Sequence, residues 1–157
     1  MLMSWPARAW VRSRSAHYHS RGHPLSPADI DWLLPFHAPD LLASVRICRR
    51  PLRLRHFAGM TYGTAIVIAP DAPSEGASWR RLLFHELVHV VQYDILHIDA
   101  FIDMYLREWA GGGYRYRAIG LEEDAYAIES RYSAAPFQPF SVRGEVERRL
   151  AERGRPG

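Results

Sequence analysis

A histidine pair and a glutamate stand at a spacing that can hold and use a metal ion. The pattern His-Glu-x-x-His runs from His85 to His89 inside the apolar stretch 82–91. On a helix, residues four apart lie on the same face, so the two imidazoles can bind one ion. Neutral imidazole suits zinc (Zn²⁺), and Glu86 can take the proton of an attacking water. This spacing predicts a zinc hydrolase; the alternative is two core histidines that are satisfied by hydrogen bonds.

The residues around the motif predict the helix that this geometry requires. Ser78 can cap the N-terminus of that helix. Apolar residues then recur at helical spacing: Leu82, Leu83, Leu87, Val90 and Val91. Two histidines and a glutamate would be costly to bury in such a segment without partners, and a metal ion is a common partner.

A catalytic zinc site normally has three protein ligands, and the candidates for the third lie in the acidic segment 120–129. The apolar stripe of this predicted helix consists of Leu121, Ala125, Ile128 and Tyr132. Glu123 points away from that stripe, whereas Glu122, Asp124 and Glu129 border it. We therefore predict Glu122 as the ligand, and Asp124 or Glu129 as a residue that orients a ligating histidine. The alternatives are a ligand register at Glu123 or Asp124, and an acidic cluster that simply begins a solvated helix.

Length and composition favour a single soluble domain. The chain has 157 residues, of which 48% are hydrophobic, enough to build a core. No apolar run is long enough to span a bilayer and the N-terminal residues do not form a signal peptide, so we expect a cytoplasmic protein. Cys48 is the only cysteine, which excludes an internal disulfide and a cysteine-based zinc site. The chain has no lysine, which excludes lysine Schiff-base and P-loop chemistry.

The charge pattern separates an N-terminal arm from the rest of the chain. Residues 1–24 are rich in arginine, serine and histidine without periodicity. They predict a flexible basic arm, either mobile or ordered only against the domain, and residues 25–157 are predicted to form one domain. The net charge of +3 indicates a mildly basic surface. No recognised basic-aromatic module accompanies it, so we do not expect a nucleic-acid partner, and the oligomeric state is left open.

The remaining patterns predict strands and further helices. Residues 45–48 and 64–68 have the alternating or β-branched composition of strands, and the second could lie at a sheet edge or in its interior. Ser26, with a proline after it, predicts the start of a helix. Two more helices are predicted over residues 94–109, before a triple glycine, and over residues 142–153.

The motif and its flanks resemble a known family. Segment 59–66, the motif through Gln92, and the acidic residues from Glu122 together resemble the compact gluzincin-type zincin metallopeptidases, and are similar to short bacterial His-Glu-Leu-x-His-x-x-Gln domains of that kind. The likeness covers roughly residues 45–132. It implies an α+β, zincin-like fold over residues 25–157, in which a small twisted, mostly antiparallel sheet packs on an active-site helix, with further helices.

The resemblance also implies a reaction and the residues that perform it. Matched residue by residue, His85, His89 and Glu122 would bind zinc. Glu86 would act as general base and then as general acid in peptide-bond hydrolysis. Asp124 stands where the family usually has a second glutamate, which leaves the register of the third ligand open.

A hydrogen-bond donor stabilises the oxyanion that develops in such a reaction. Tyr114 or Tyr116, after the triple glycine, is a candidate donor, and the alternative for both is a packing role. The expected partner is a peptide or protein substrate. The competing function is a non-catalytic zincin-like module that binds a protein or nucleic acid, with a structural metal or none.

Overall fold

The architecture is described by a computed structural model that covers residues 4–52 and 57–153. Residues 1–3 of the predicted arm, and 53–56 and 154–157 of the predicted domain, lie outside the described residues. The α+β class predicted from the sequence is confirmed, and the elements follow in this order: α1 (Ser4–His19), α2 (Pro27–Leu33), α3 (Pro39–Ser44), β1 (Arg46–Arg49), β2 (Gly59–Tyr62), β3 (Ala65–Ile68), α4 (Gly76–Gly111), a 3₁₀ turn (Tyr116–Ala118), α5 (Gly120–Ala134) and α6 (Val142–Arg153). Within the described ranges, no helix has the length and apolar character needed to cross a membrane. The cytoplasmic location stays a prediction.

The sheet has three short strands in the order β1-β3-β2. β3 is central and buried along its whole length, so this strand lies in the interior, which suits its β-branched residues. β2 and β3 form an antiparallel hairpin that turns at Gly63, whose φ of 62° favours glycine. β1 lies on the other side of β3 and pairs with it in parallel. The sheet is therefore mixed, with one antiparallel and one parallel pair, rather than mostly antiparallel.

The N-terminal segment forms a helix that packs on the domain. α1 contacts α4 and all three strands, and Val11 on its inner side is buried. Arg8 pairs with Asp103 of α4, and Arg12 pairs with Asp99. The sequence permits a mobile arm or one that orders against the domain. In the structure the helix buries apolar side chains against the domain and pairs its arginines with acids, and the flexibility of the arm stays a prediction.

One long helix, α4, carries the histidine motif. It extends over 36 residues and joins the two helices predicted from the sequence, which meet at a break where His97 has φ 58° and ψ 164°. All residues from 83 to 93 are buried, because α1, α5, α6 and β2 pack around the helix. The helix begins at Gly76 with Glu75 in the capping position. The predicted cap, Ser78, therefore lies inside the first turn.

Helix α5 lies against α4 and brings the acidic segment to the motif. Its predicted apolar stripe is buried: Leu121, Ala125, Ile128 and Tyr132. Glu122, Asp124 and Glu129 are buried as well, whereas Glu123 is exposed. Helix α6 has the bounds predicted from the sequence and packs on both α4 and α5. The elements that the sequence predicted on either side of the motif thus meet around it.

Candidate metal site

Three side chains from two helices meet at one point inside the protein. His85 and His89 come from α4 and Glu122 comes from the first turn of α5, and all three are buried. Nε2 of His89 lies 3.2 Å from Nε2 of His85 and 3.2 Å from Oε2 of Glu122. Nε2 of His85 lies 3.5 Å from the same oxygen of Glu122. The structure thus brings together the three residues that the sequence proposes as metal ligands.

The spacing of these three atoms fits a tetrahedral zinc ion. Zinc binds nitrogen and carboxylate oxygen at about 2.0–2.2 Å, so two ligand atoms at the tetrahedral angle lie roughly 3.3 Å apart. The three separations of 3.2, 3.2 and 3.5 Å agree with that value to within about 0.2 Å. Two imidazoles and one carboxylate are also a ligand set of catalytic zinc sites, which keep a fourth position for water.

Gln92 sets the orientation of the His89 ring. Its amide nitrogen donates to the backbone carbonyl of Leu121 over 2.9 Å, which turns the amide oxygen towards His89. Nδ1 of His89 donates to this oxygen over 2.8 Å, so the lone pair on Nε2 faces His85 and Glu122. Lone pairs and a carboxylate at such distances repel one another unless a proton or a cation lies between them. The arrangement therefore requires a proton or a metal ion between these atoms.

Glu129 lies beside His85, the other histidine of the cluster. Its Oε2 is 3.6 Å from Nδ1 of His85, and its Oε1 accepts a 2.8 Å hydrogen bond from Nε of Arg81. Nδ1 of His85 is buried and has no hydrogen-bond partner among the described residues. A shift of a few tenths of an ångström would bring the Glu129 carboxylate within hydrogen-bond distance. Glu129 is therefore in a position to orient His85.

Asp124, the other acid proposed for that role, faces a different element. Its Oδ2 accepts a 3.0 Å hydrogen bond from Nε of Arg153, and its Oδ1 accepts one of 3.3 Å from Nη1 of Arg149. Both arginines belong to α6, so Asp124 fastens α6 to α5. Glu123 is exposed, and Glu122 is thus the acid of this segment that lies in the cluster.

The ionised carboxylate of Glu122 favours positive charge on the groups around it. Burial works against charge on His85, but the neighbouring carboxylates of Glu122 and Glu129 outweigh it and raise the pKa of His85 to about 9. Burial also opposes charge on His89, but the negative charge of Glu122 raises the His89 pKa. Burial would raise the pKa of Glu122, yet the charge of His89 and hydrogen bonds from both histidines hold that pKa well below its usual range. The carboxylate thus stays ionised and holds positive charge next to it.

Glu86, the proposed general base, is held beside the cluster by strand β2. Its Oε2 accepts a 2.7 Å hydrogen bond from the hydroxyl of Thr61. A Cβ at Gly59 would lie 2.6 Å from Oε1 of Glu86, so glycine lets the strand approach this closely. Glu86 is 4% exposed and stands apart from the three clustered ligand atoms. A carboxylate in this position can accept a proton without serving as a ligand.

Two tyrosines contact the carboxylate of Glu122. The hydroxyl of Tyr105 donates to Oε1 over 3.4 Å, and Tyr116 also hydrogen-bonds Glu122. Burial and the nearby Glu122 charge raise the pKa of both hydroxyls well above the usual value, so both remain protonated donors. Tyr114 is 68% exposed, and its ring packs on Trp109. Of the two tyrosines proposed as oxyanion donors, Tyr116 lies at the site and Tyr114 lies outside it.

Two cavities meet at the cluster. One has a volume of about 350 Å³ and reaches His85. The other has a volume of about 320 Å³ and reaches His89 and Glu122. Four described residues line both cavities: Phe57, Gly59, Glu86 and Tyr116. The two cavities therefore share a boundary that includes Glu86.

Five residues at the site have no role assigned from the sequence: Gly59, Thr61, Arg81, Gln92 and Tyr105. Gln92 lies three residues after His89 and so on the same helix face. This spacing is enough to predict a contact between the two side chains. Arg81 lies four residues before His85 and so on the same helix face as well. Gly59 and Thr61 of strand β2 and Tyr105 of the later part of α4 lie farther along the chain, and their distance gives no sign of this contact.

Fold and site together define an α+β protein with a buried His-His-Glu cluster that can hold a metal ion. Residues 50–95 match the family described as the eCIS core domain, which is zincin-like. The match covers less than a third of the chain and includes β2, β3 and both histidines, whereas Glu122 lies beyond it. Comparison with curated proteins and with solved structures gives no match. The chain is therefore similar to a zincin-like family over this segment, and the narrower gluzincin assignment stays a prediction.

Proposed function

We propose that this protein is a zinc-dependent metallopeptidase of the gluzincin type, with His85, His89 and Glu122 as zinc ligands. The position of Glu86 carries the proposal, because this fourth ionisable side chain is buried beside the ligands and lines both cavities. A site that only holds a metal needs no further carboxylate next to the ligands. Hydrolysis does need a base there.

Each side chain around the cluster can take one role in the reaction. Bound zinc would lower the pKa of a water molecule and polarise a carbonyl group. Glu86 takes the proton of the attacking water and passes it to the nitrogen of the leaving amine. Thr61 donates to Oε2 of Glu86, which leaves Oε1 to carry the proton. Tyr116 stays protonated, and its hydroxyl turns from Glu122 to donate to the oxygen on which negative charge develops.

A peptide or protein chain is the substrate that suits this site. Glu86 lines both cavities, one of which reaches His85 and the other His89. A chain that continues on both sides of the reacting bond can occupy both of them. The cavities therefore favour a bond inside a polymer over a small isolated molecule.

The decisive experiment compares the wild type with Glu86→Gln on a peptide library. The variant is expected to keep one zinc ion per chain and to lose about 10²–10⁴-fold in kcat, the usual contribution of a general base. Metal analysis measures the zinc, and mass spectrometry of the cleaved peptides measures the rate. Glu123→Gln removes an exposed acid of α5 and is the matched control, which should retain both zinc and activity.

Two results would contradict the proposal. A wild-type protein that binds zinc but cuts no peptide or protein would favour the competing function, a non-catalytic metal-binding module. Equal hydrolysis by the wild type and by Glu86→Gln would remove Glu86 from the mechanism.

A further inference from the structure

The two cavities that meet at Glu86 differ in chemistry. The cavity beside His85 includes the polar residues Ser78, Arg81 and Glu129. The cavity beside His89, called the apolar cavity below, is lined mainly by aromatic and aliphatic side chains, among them Trp10, Val11, Met60, Phe101, Ile102 and Leu106. Among its described lining residues, the carboxylates are Glu86 and Glu122, at the end next to the cluster.

Helix α1 forms one wall of the apolar cavity. Ala7, Trp10 and Val11 of this helix line it. The ring of Trp10 packs edge-on against Tyr62 of β2, with 5.6 Å between ring centroids. Ion pairs join two arginines of α1 to acids of α4, and residues of α4 line the same cavity. The N-terminal helix is thus part of the wall of the cavity that reaches the metal cluster.

We propose that the apolar cavity binds one large apolar side chain of the substrate next to the bond that is cut, and that α1 determines this preference. The proposal rests on the proposed peptidase function. The volume of about 320 Å³ is near the lower limit of ligand pockets, about 300–1,000 Å³, which suits one aromatic or long aliphatic side chain. An acidic side chain would lose its hydration in this apolar lining, whose described residues include no lysine or arginine to compensate.

The first test is a set of peptides that differ only at the residues flanking the cut bond, with Ala, Leu, Phe or Asp at each position. On one side of the bond, Phe or Leu is expected to exceed Ala by at least about 10-fold in kcat/KM, since a single methylene in an apolar pocket contributes about 10–200-fold. Asp at that position should give the slowest cleavage.

A pair of variants on α1 tests whether this helix makes the selection. Ala7→Phe places a ring in the wall of the apolar cavity and should lower kcat/KM for the Phe peptide by at least about 10-fold, with little effect on the Ala peptide. Ala9→Phe adds the same ring at an exposed position of the same helix and should leave both rates unchanged. If Ala7→Phe does not fold by circular dichroism, Trp10→Ala removes part of the same wall and should reduce the preference for Phe.

A binding measurement makes the test independent of catalysis. Zinc-loaded Glu86→Gln protein is titrated with fluorescently labelled Phe and Ala peptides and followed by anisotropy. The Phe peptide should bind at least about 10-fold more tightly, and Ala7→Phe in the same background should remove the difference.

The outcomes separate the two proposals. If the wild type cuts peptides without preference, or if Ala7→Phe and Ala9→Phe behave alike, the assignment of the apolar cavity is wrong while the peptidase function stands. If no peptide is cut, the peptidase function fails and the anisotropy difference alone decides the apolar cavity. Equal binding of the two peptides then overturns it.

Discussion

Histidine is buried in two described regions of this protein, and the two regions treat its charge in opposite ways. In the metal cluster, the carboxylate of Glu122 overcomes the effect of burial, and the pKa of His85 rises to about 9. His37, between α2 and α3, is 6% exposed, and burial lowers its pKa to about 4. Neither ring nitrogen of His37 has a hydrogen-bond partner among the described residues, and the ring packs on Phe84 at 5.5 Å.

Because both histidines are buried, the difference between their pKa values comes from the neighbouring groups. These groups decide whether a buried histidine ring is neutral or charged. A histidine without an acid nearby is held neutral and packs as an aromatic ring. A histidine pair that faces a carboxylate holds a positive charge, and a zinc ion can provide that charge in place of a proton. Four predictions test this contrast.

The largest effect is expected on metal content. His85→Ala and His89→Ala should each lose stoichiometric zinc, because each removes one of three ligands. The loss in affinity should exceed the 10–100-fold that is typical when an outer partner of a ligand is removed. His37→Ala, which removes an equally buried histidine, should keep one zinc ion per chain. Retention of zinc by the cluster variants, measured by plasma mass spectrometry, would place the site elsewhere.

The second prediction concerns acid stability and His37. The unfolded chain takes up a proton near the ordinary value of 6.5, whereas the folded protein resists it until about pH 4. The free energy of unfolding should therefore fall as the pH falls through this window, by about 3 kcal/mol from this group. His37→Phe should lack this component in urea titrations between pH 7 and pH 4. His23→Phe, at an exposed position, is the control and should titrate like the wild type.

The third prediction concerns competition between zinc and protons at the cluster. Because the His85 pKa is raised to about 9 without metal, zinc must displace a proton at neutral pH. Zinc affinity should rise about tenfold per pH unit, or about 100-fold from pH 6 to pH 8. Chelator competition measures the affinity, and calorimetry in buffers of different ionisation enthalpy measures the released proton. An affinity that does not change with pH would contradict the raised pKa.

The smallest effect is expected at Gln92, which touches no metal. Gln92→Met keeps the length of the side chain but removes the acceptor for Nδ1 of His89. Zinc affinity should fall by about 10–100-fold, or about 1.4–2.7 kcal/mol. Gln138→Met makes the same change at an exposed position and should leave the affinity unaltered. If both variants bind zinc like the wild type, Gln92 does not orient His89.

Patterns within single elements were predicted well from the sequence. Helix α6 has the predicted bounds, and the predicted apolar stripe of α5 is buried. These features depend on which face of a helix carries apolar residues, and the helical period displays that directly. The same reasoning selected Glu122 over Glu123, and the structure brings Glu122 to the histidines.

Arrangements that depend on distant contacts were predicted less well. Packing between elements sets the parallel pairing of β1 with β3, the contacts of α1 with α4 and the sheet, and the separate surroundings of Asp124 and Glu129. Both acids lie on the border of the same helix stripe, so the helical period cannot distinguish them. Asp124 meets arginines of α6, whereas Glu129 lies 3.6 Å from a ring nitrogen of His85.

The local sequence suffices to place the imidazoles of His85 and His89 one helix turn apart with Glu86 beside them, because these separations lie within a single helix. The packing of α5 on α4 is needed to bring Glu122, 33 residues from His89, into the cluster. Tertiary packing likewise determines that a glycine of β2 admits the Glu86 carboxylate and that α1 closes the apolar cavity. These contacts follow from which faces of α1, α4, α5 and the sheet pack together, and no local pattern specifies that choice.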